Sequence, residues 1–178
     1  MKRDERRQFL ENMLDRVIKW LEYAERKNAV LLTFVGTLTV LLLRVESTQE
    51  FCGFSAFLIF AALFGFVLSS LIVLISFAPQ LDPTRGFMSR KIASELKASR
   101  TQDLLYFGYV AQISTEKYRD QLHEFFALED EFSTIELELI NQVSINSSIV
   151  DKKFLLFDAS VRIAGFAALA GIVGVILN

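Results

Sequence analysis

In 178 residues the sequence holds one cysteine, Cys52, one histidine, His123, and two prolines. A lone cysteine excludes a disulfide framework within the chain, and one cysteine with one histidine cannot build a Cys/His metal site from a single subunit. Neither G-x-x-x-x-G-K-S/T nor G-x-G-x-x-G occurs, and there is no zincin helix, EF-hand loop or nucleophile elbow. Enzymatic chemistry therefore has no motif to stand on. No catalytic, metal-ligating or cofactor-binding residue is expected. An excess of charge of one sign is missing too: with net charge −2, no global field recruits nucleic acid.

What the sequence does have is apolar residues. They make up 52% of the chain, 17 of them are phenylalanine, and the mean hydropathy is +0.37. A water-soluble core of this length does not need so much, so membrane spans are expected. Three uncharged runs supply them: residues 29–43, 51–78 and 163–177. The first and third are shorter than the roughly 20 residues a bilayer asks for. Flanking bases that snorkel to the headgroups extend the first. The third reaches span length if its helix begins near Phe154 and tolerates Asp158 and Arg162. The first apolar run starts late and no small-residue cleavage site follows it, so three retained spans are expected rather than a signal peptide. Eight of the 19 lysines and arginines lie in residues 1–28 and nine in residues 79–153. The positive-inside rule then puts the N-terminus and residues 79–153 in the cytoplasm and the C-terminus outside.

The expected organisation is all-α, with three transmembrane helices and a helical cytoplasmic domain. Residues 1–28 form a cytoplasmic amphipathic helix, residues 29–78 a transmembrane hairpin, residues 79–153 the cytoplasmic domain and residues 154–177 the third span. Leu10, Leu14, Val17, Leu21 and Ala24 follow the three-four spacing of an amphipathic helix. No breaker separates it from the first span, so "YAERKNAVLLTF" (residues 23–34) should be one helix that enters the bilayer without a turn. The prolines and glycine of "FAPQLDPTRGF" mark a turn, followed by a short helix over residues 89–99. "DLLYFGYVAQIS" (residues 103–114) is aromatic and broken by Gly108, which suits a packed bend or short helix. Residues 116–128 should be helical with Tyr118, Leu122 and Phe125 on one side. Phe132, Ile135, Leu139, Val143, Ile149 and Phe154 mark a further stripe on a helix from 131 to 177, about 70 Å long at 1.5 Å per residue.

Candidate sites compete with ordinary roles. Arg26, Lys27 and Asn28 either recognise an anion at the membrane face or anchor the helix there; Lys27–Asn28 is the less ordinary part, since asparagine is a poor helix former and sits at the edge of hydrocarbon. Lys152 and Lys153 read first as positive-inside anchors. Tyr106, Phe107 and Tyr109 either stack on a base or pack a core. Asp158 and Arg162, four apart on one helix face, should satisfy each other and serve as a gate, an inter-subunit clamp or an interfacial pair. Arg85, Arg90, Lys91, Lys97 and Arg100 either hold a phosphate or make a solvated helix face. The acidic stretch from 124 to 138 should be solvated. Ala164, Ala168, Gly171 and Gly174 permit close helix approach.

The layout resembles the transmembrane effector family of bacterial Pycsar anti-phage systems. "AERKNAVLLTFVGTLT" (residues 24–39) is similar to the family's opening segment, where a polar helix with a lysine enters the first span. "DLLYFGYVAQISTEKYRDQL" (residues 103–122) resembles its aromatic-glycine segment, and "INQVSINSSIVDKKFLLFDASVRIAG" (residues 140–165) its closing stretch. The sequence departs from the pattern at Arg26, where a smaller polar residue is expected. The resemblance implies an inner-membrane defence effector. A partner cyclase acts through its product, a cyclic mononucleotide (cCMP or cUMP), and the effector compromises the membrane before phage mature, an abortive infection. Ligand contacts are expected at Lys27, Asn28, Tyr106, Phe107, Asn146 and Lys153, in a homo-oligomer seated in the lipid bilayer, with no nucleic-acid partner. A ligand-independent scaffold that binds a partner protein and a small channel subunit are the competing classes.

Overall fold

The computed structural model describes residues 3–48, 53–78, 103–128 and 130–178, and among these every regular element is a helix. In chain order they are α1 (Arg3–Thr48), α2 (Gly53–Phe77), α3 (Phe107–Val110), α4 (Thr115–Phe125) and α5 (Thr134–Ile176). Helices α1, α2 and α5 are each long and apolar enough to cross a membrane. As expected, α1 carries its charged N-terminal turns into the apolar segment as one uninterrupted helix of 46 residues. The turn and short helix expected over residues 79–99, with the basic residues Arg85 to Arg100, lie outside the described residues.

Among the described residues, those within 24–78 and 153–178 form one compact unit and those within 1–23 and 79–152 the other. The first unit buries polar side chains beside its apolar core and exposes large aromatics. Asn28, Ser55, Ser69, Ser76, Lys153 and Ser160 are buried, whereas Phe34, Phe54, Phe57, Phe60, Phe64 and Phe166 are exposed, Phe64 by 71%. Water would make such an exterior costly; hydrocarbon accepts it, and pairing of the interior polar groups spares them an apolar solvent.

Within this unit α2 and α5 run antiparallel. Ser55 approaches Asn178, Gly65 faces Ala167, and the Ser69 and Ser160 hydroxyls lie 2.7 Å apart. Each of those hydroxyls is also within 3.1 Å of the other residue's backbone carbonyl. Glycine is required at 65 because a Cβ there would lie 2.8 Å from that of Ala167. Helix α1 is antiparallel to α2 and parallel to α5: Asn28 meets Ser76, while Lys27 meets Phe157 and Leu42 approaches Gly171. The small residues expected to permit close approach do so: Ala164 and Ala168 pack with Val35, Leu42, Ile59, Ala62 and Phe66, and a Cβ would lie 3.4 Å from Ala62 at Gly171 and 3.1 Å from Ile59 at Gly174.

The second unit is packed around Leu10, Met13 and Val17 of α1, Val110, Tyr118 and Leu122, and Ile140, Val143 and Val150 of α5. Helix α4 starts on Ser114, whose hydroxyl accepts the Lys117 amide at 3.2 Å. It ends at Phe125, short of the expected 128, because Ala127 takes a left-handed φ of 47°. The turn re-aims the aromatics: Phe126 is buried, and Phe125, expected on the buried side, is 59% exposed. Helix α5 begins at Thr134 rather than 131, since Ser133 forms a capping box with Glu136. Its buried stripe runs through Glu136, Ile140, Val143, Ser147 and Val150, so Ile135, expected inside, faces out. Apolarity alone misplaced the stripe because serines and one carboxylate share it.

That carboxylate is the main correction to the acidic stretch. Glu136, expected to be solvated, is 1% exposed and accepts from Arg6 Nε at 3.0 Å. Burial pushes its carboxyl up, but the Ser133 amide and hydroxyl and the Arg6 guanidinium outweigh that and hold it below the ordinary value.

Candidate functional site

Where the first turns of the apolar part of α1 meet the end of α2 and the middle of α5, three residues singled out by sequence come together. Lys153, 5% exposed, donates to the Ser76 carbonyl at 2.9 Å and to Glu25 Oε1 at 3.2 Å. Ser76 stands in the last turn of α2, where helix carbonyls lack intrahelical donors and the dipole is negative, and that turn has no base of its own. Lys153 supplies the missing positive cap from another helix.

Asn28 is fully buried. Its Nδ2 donates to the Ser76 hydroxyl at 2.8 Å, and Oδ1 has no hydrogen-bond partner. Rotating the amide by half a turn would exchange the two atoms and leave the nitrogen short instead. Either way one polar group of a fully buried side chain is unpaired, a cost tolerated where a site needs the group. Lys27 turns the other way, its ammonium 4.1 Å from the Phe157 ring centroid and 5.2 Å from that of Phe154. Cation–π contacts of this kind let a charge sit beside apolar side chains.

The remaining predicted residues stand elsewhere. Tyr106 and Phe107 belong to the second unit, their rings 4.8 Å apart, with Trp20 5.4 Å from Phe107 and Tyr23 5.9 Å from Trp20. Asn146 spends its amide on the Gln142 carbonyl of its own helix at 3.0 Å. Asp158 and Arg162 pair at 2.9 Å, both side chains more than half exposed. Sequence reasoning passed over Ser76 and Glu25. The signal for Ser76 was a hydroxyl in the final turn of an otherwise apolar helix; for Glu25 it was an acid next to two bases, ordinary on any interfacial helix. Among the described residues no cluster of histidine, cysteine, aspartate or glutamate is placed to hold a metal ion.

Three apolar helices that bury serines, an asparagine and a lysine beside an apolar cluster define a multi-spanning α-helical membrane protein. The family model for the Pycsar effector protein domain matches residues 9–178, and the chain belongs to that family. No curated protein and no solved structure matches it.

Proposed function

We propose that the chain is an anti-phage effector of the bacterial inner membrane that responds to a cyclic mononucleotide, cCMP or cUMP, made by a partner cyclase. On binding it impairs membrane integrity and causes abortive infection. It has no catalytic step of its own. Its N-terminus and a helical domain face the cytoplasm, its C-terminus faces outward, and several copies act together. Family membership across nearly the whole chain carries this proposal. The cluster of Lys153, Asn28 and Ser76 supports it by supplying a receptive element. A ligand phosphate would compete with Glu25 for Lys153, and a ligand donor would satisfy Asn28 Oδ1. Loosening Lys153 from Ser76 would then free the end of α2 from α5.

A ligand shifts such an equilibrium only by its differential affinity for the two states, and moving it from 1:99 to 99:1 takes about 5.5 kcal/mol. Several ligands on several copies reach that sum more readily than one. The test is membrane potential in cells that express the protein and receive cCMP, cUMP or cAMP. Depolarisation with a cyclic pyrimidine nucleotide, lost in Asn28→Leu, is expected. An unchanged potential with every nucleotide would overturn the proposal.

A further inference from the structure

Between α1 and α5, at the end of the spanning unit where α1 finishes, runs an open groove of about 300 Å³. Leu38, Leu41 and Val45 line one wall and Ala168, Ile172 and Ile176 the other, and no side chain along it is polar. Leu41 and Ile172 are 54% and 57% exposed, while Ala168 lies partly buried against the cluster of Val35 and Ala62. The groove runs about 10 Å along α1 and about 12 Å along α5 at 1.5 Å per residue, a little under the 15 Å or so of hydrocarbon in one leaflet. A spanning helix of a partner protein would leave about half its length unseated there. An acyl chain matches the groove in depth and polarity.

The charge beside the groove decides what that chain is attached to. Arg44 is exposed, stands one turn beyond Leu41 on α1, and is the single lysine or arginine of residues 28–78. Among the described residues no acid pairs with it. Glu46, two residues on, leaves the helix on the opposite side. A guanidinium at the level where a span ends is suited to a phosphate, which it binds through two parallel N–H bonds. The outward face of α2, with Phe54, Phe57, Phe60 and Phe64, carries no such base. We infer that the groove and Arg44 form a binding site for one phospholipid, an acyl chain laid between α1 and α5 and the phosphate held by Arg44. The inference goes beyond the effector reading and rests only on α1 and α5 crossing the bilayer.

Native mass spectrometry of the full-length protein, released from detergent micelles after titration with dioleoyl phosphatidylglycerol, tests the site. One lipid per chain should be retained at a concentration about tenfold below that needed for further lipids, and Arg44→Gln should remove that preference. Leu41→Trp and Ala168→Phe, which fill the groove, should abolish the preferred adduct; Phe60→Trp on α2 should keep it. Oleate alone and inorganic phosphate alone should give no preferred adduct. The same lipid should raise the thermal midpoint of the parent and of Phe60→Trp, but not that of Leu41→Trp. Should Ala168→Phe fail to fold, Leu41→Trp decides, because its side chain starts from an exposed position. A preferred adduct that survives Leu41→Trp, that ignores Arg44→Gln, or that oleate or phosphate reproduces overturns the inference, as does equal loss in Phe60→Trp. No nucleotide enters the measurement, so a bound lipid in a protein that no nucleotide activates would leave the site standing and remove only the signalling role.

Discussion

Lys153 reaches across from α5 to cap the final turn of α2, donating to the Ser76 carbonyl at 2.9 Å while Glu25 of α1 balances its charge. One buried ammonium thus ties three helices. Lys153→Met should leave that carbonyl without its donor and destabilise the protein by about 1–3 kcal/mol. Thermal unfolding in detergent measures it. Lys153→Arg should recover part of the loss, and an unshifted midpoint for the methionine variant would remove the capping role.

Asn28 should behave in the opposite sense. Its amide makes one bond and leaves Oδ1 unpaired, so Asn28→Leu trades a half-satisfied polar group for hydrocarbon of similar size. The unfolding midpoint should hold or rise while any nucleotide-triggered depolarisation disappears. A clear fall in the midpoint would mean that the side chain is structural.

The contact between Gly65 and Ala167 makes a paired prediction. Gly65→Ala puts a methyl 2.8 Å from the Ala167 Cβ and should cost about 1–3 kcal/mol through overpacking, offset by up to about 1 kcal/mol of helix propensity. Adding Ala167→Gly should restore the midpoint beyond the sum of the single changes. Additive behaviour in that double-mutant cycle would mean that the helices have shifted apart.

Acid should act through Glu136. Its carboxyl titrates below the ordinary value, so between the two values the unfolded state binds more protons. The stability it contributes is complete above the usual carboxylate range of about 4.3 and is lost as pH falls through the depressed folded value. Glu136→Gln should be less stable than the parent near neutral pH, and the gap should close on acidification. Midpoints compared stepwise from about pH 7 to about pH 3 would show it. A gap that stays constant would mean that charge plays no part in the contact with Arg6.

Much of this architecture could be read from residue order. The three uncharged runs gave the spans, and the unbroken stretch through Lys27 and Asn28 gave the continuity of α1, because helices persist where no breaker intervenes. The Asp158–Arg162 pair was legible from its spacing of four. What stayed hidden depends on partners distant in sequence. Glu136 reads as a surface acid until Arg6, 130 residues away, is placed beside it. Ser76 gains meaning only through Lys153, and the exposure of Phe125 follows from a backbone turn at Ala127 that no residue type announces. Of the six residues expected to contact a ligand, half fall close together. Lys27, Asn28 and Lys153 gather at one end of the spanning bundle, whereas Tyr106 and Phe107 sit in a separate packing unit and Asn146 serves its own helix.

The tight seam between α2 and α5 has a bearing on how ions could leave a cell. At Gly65 a Cβ would already lie 2.8 Å from that of Ala167, and one turn on the two serine hydroxyls touch at 2.7 Å. For the proposed effector to pass ions between these two helices, both contacts would first have to part.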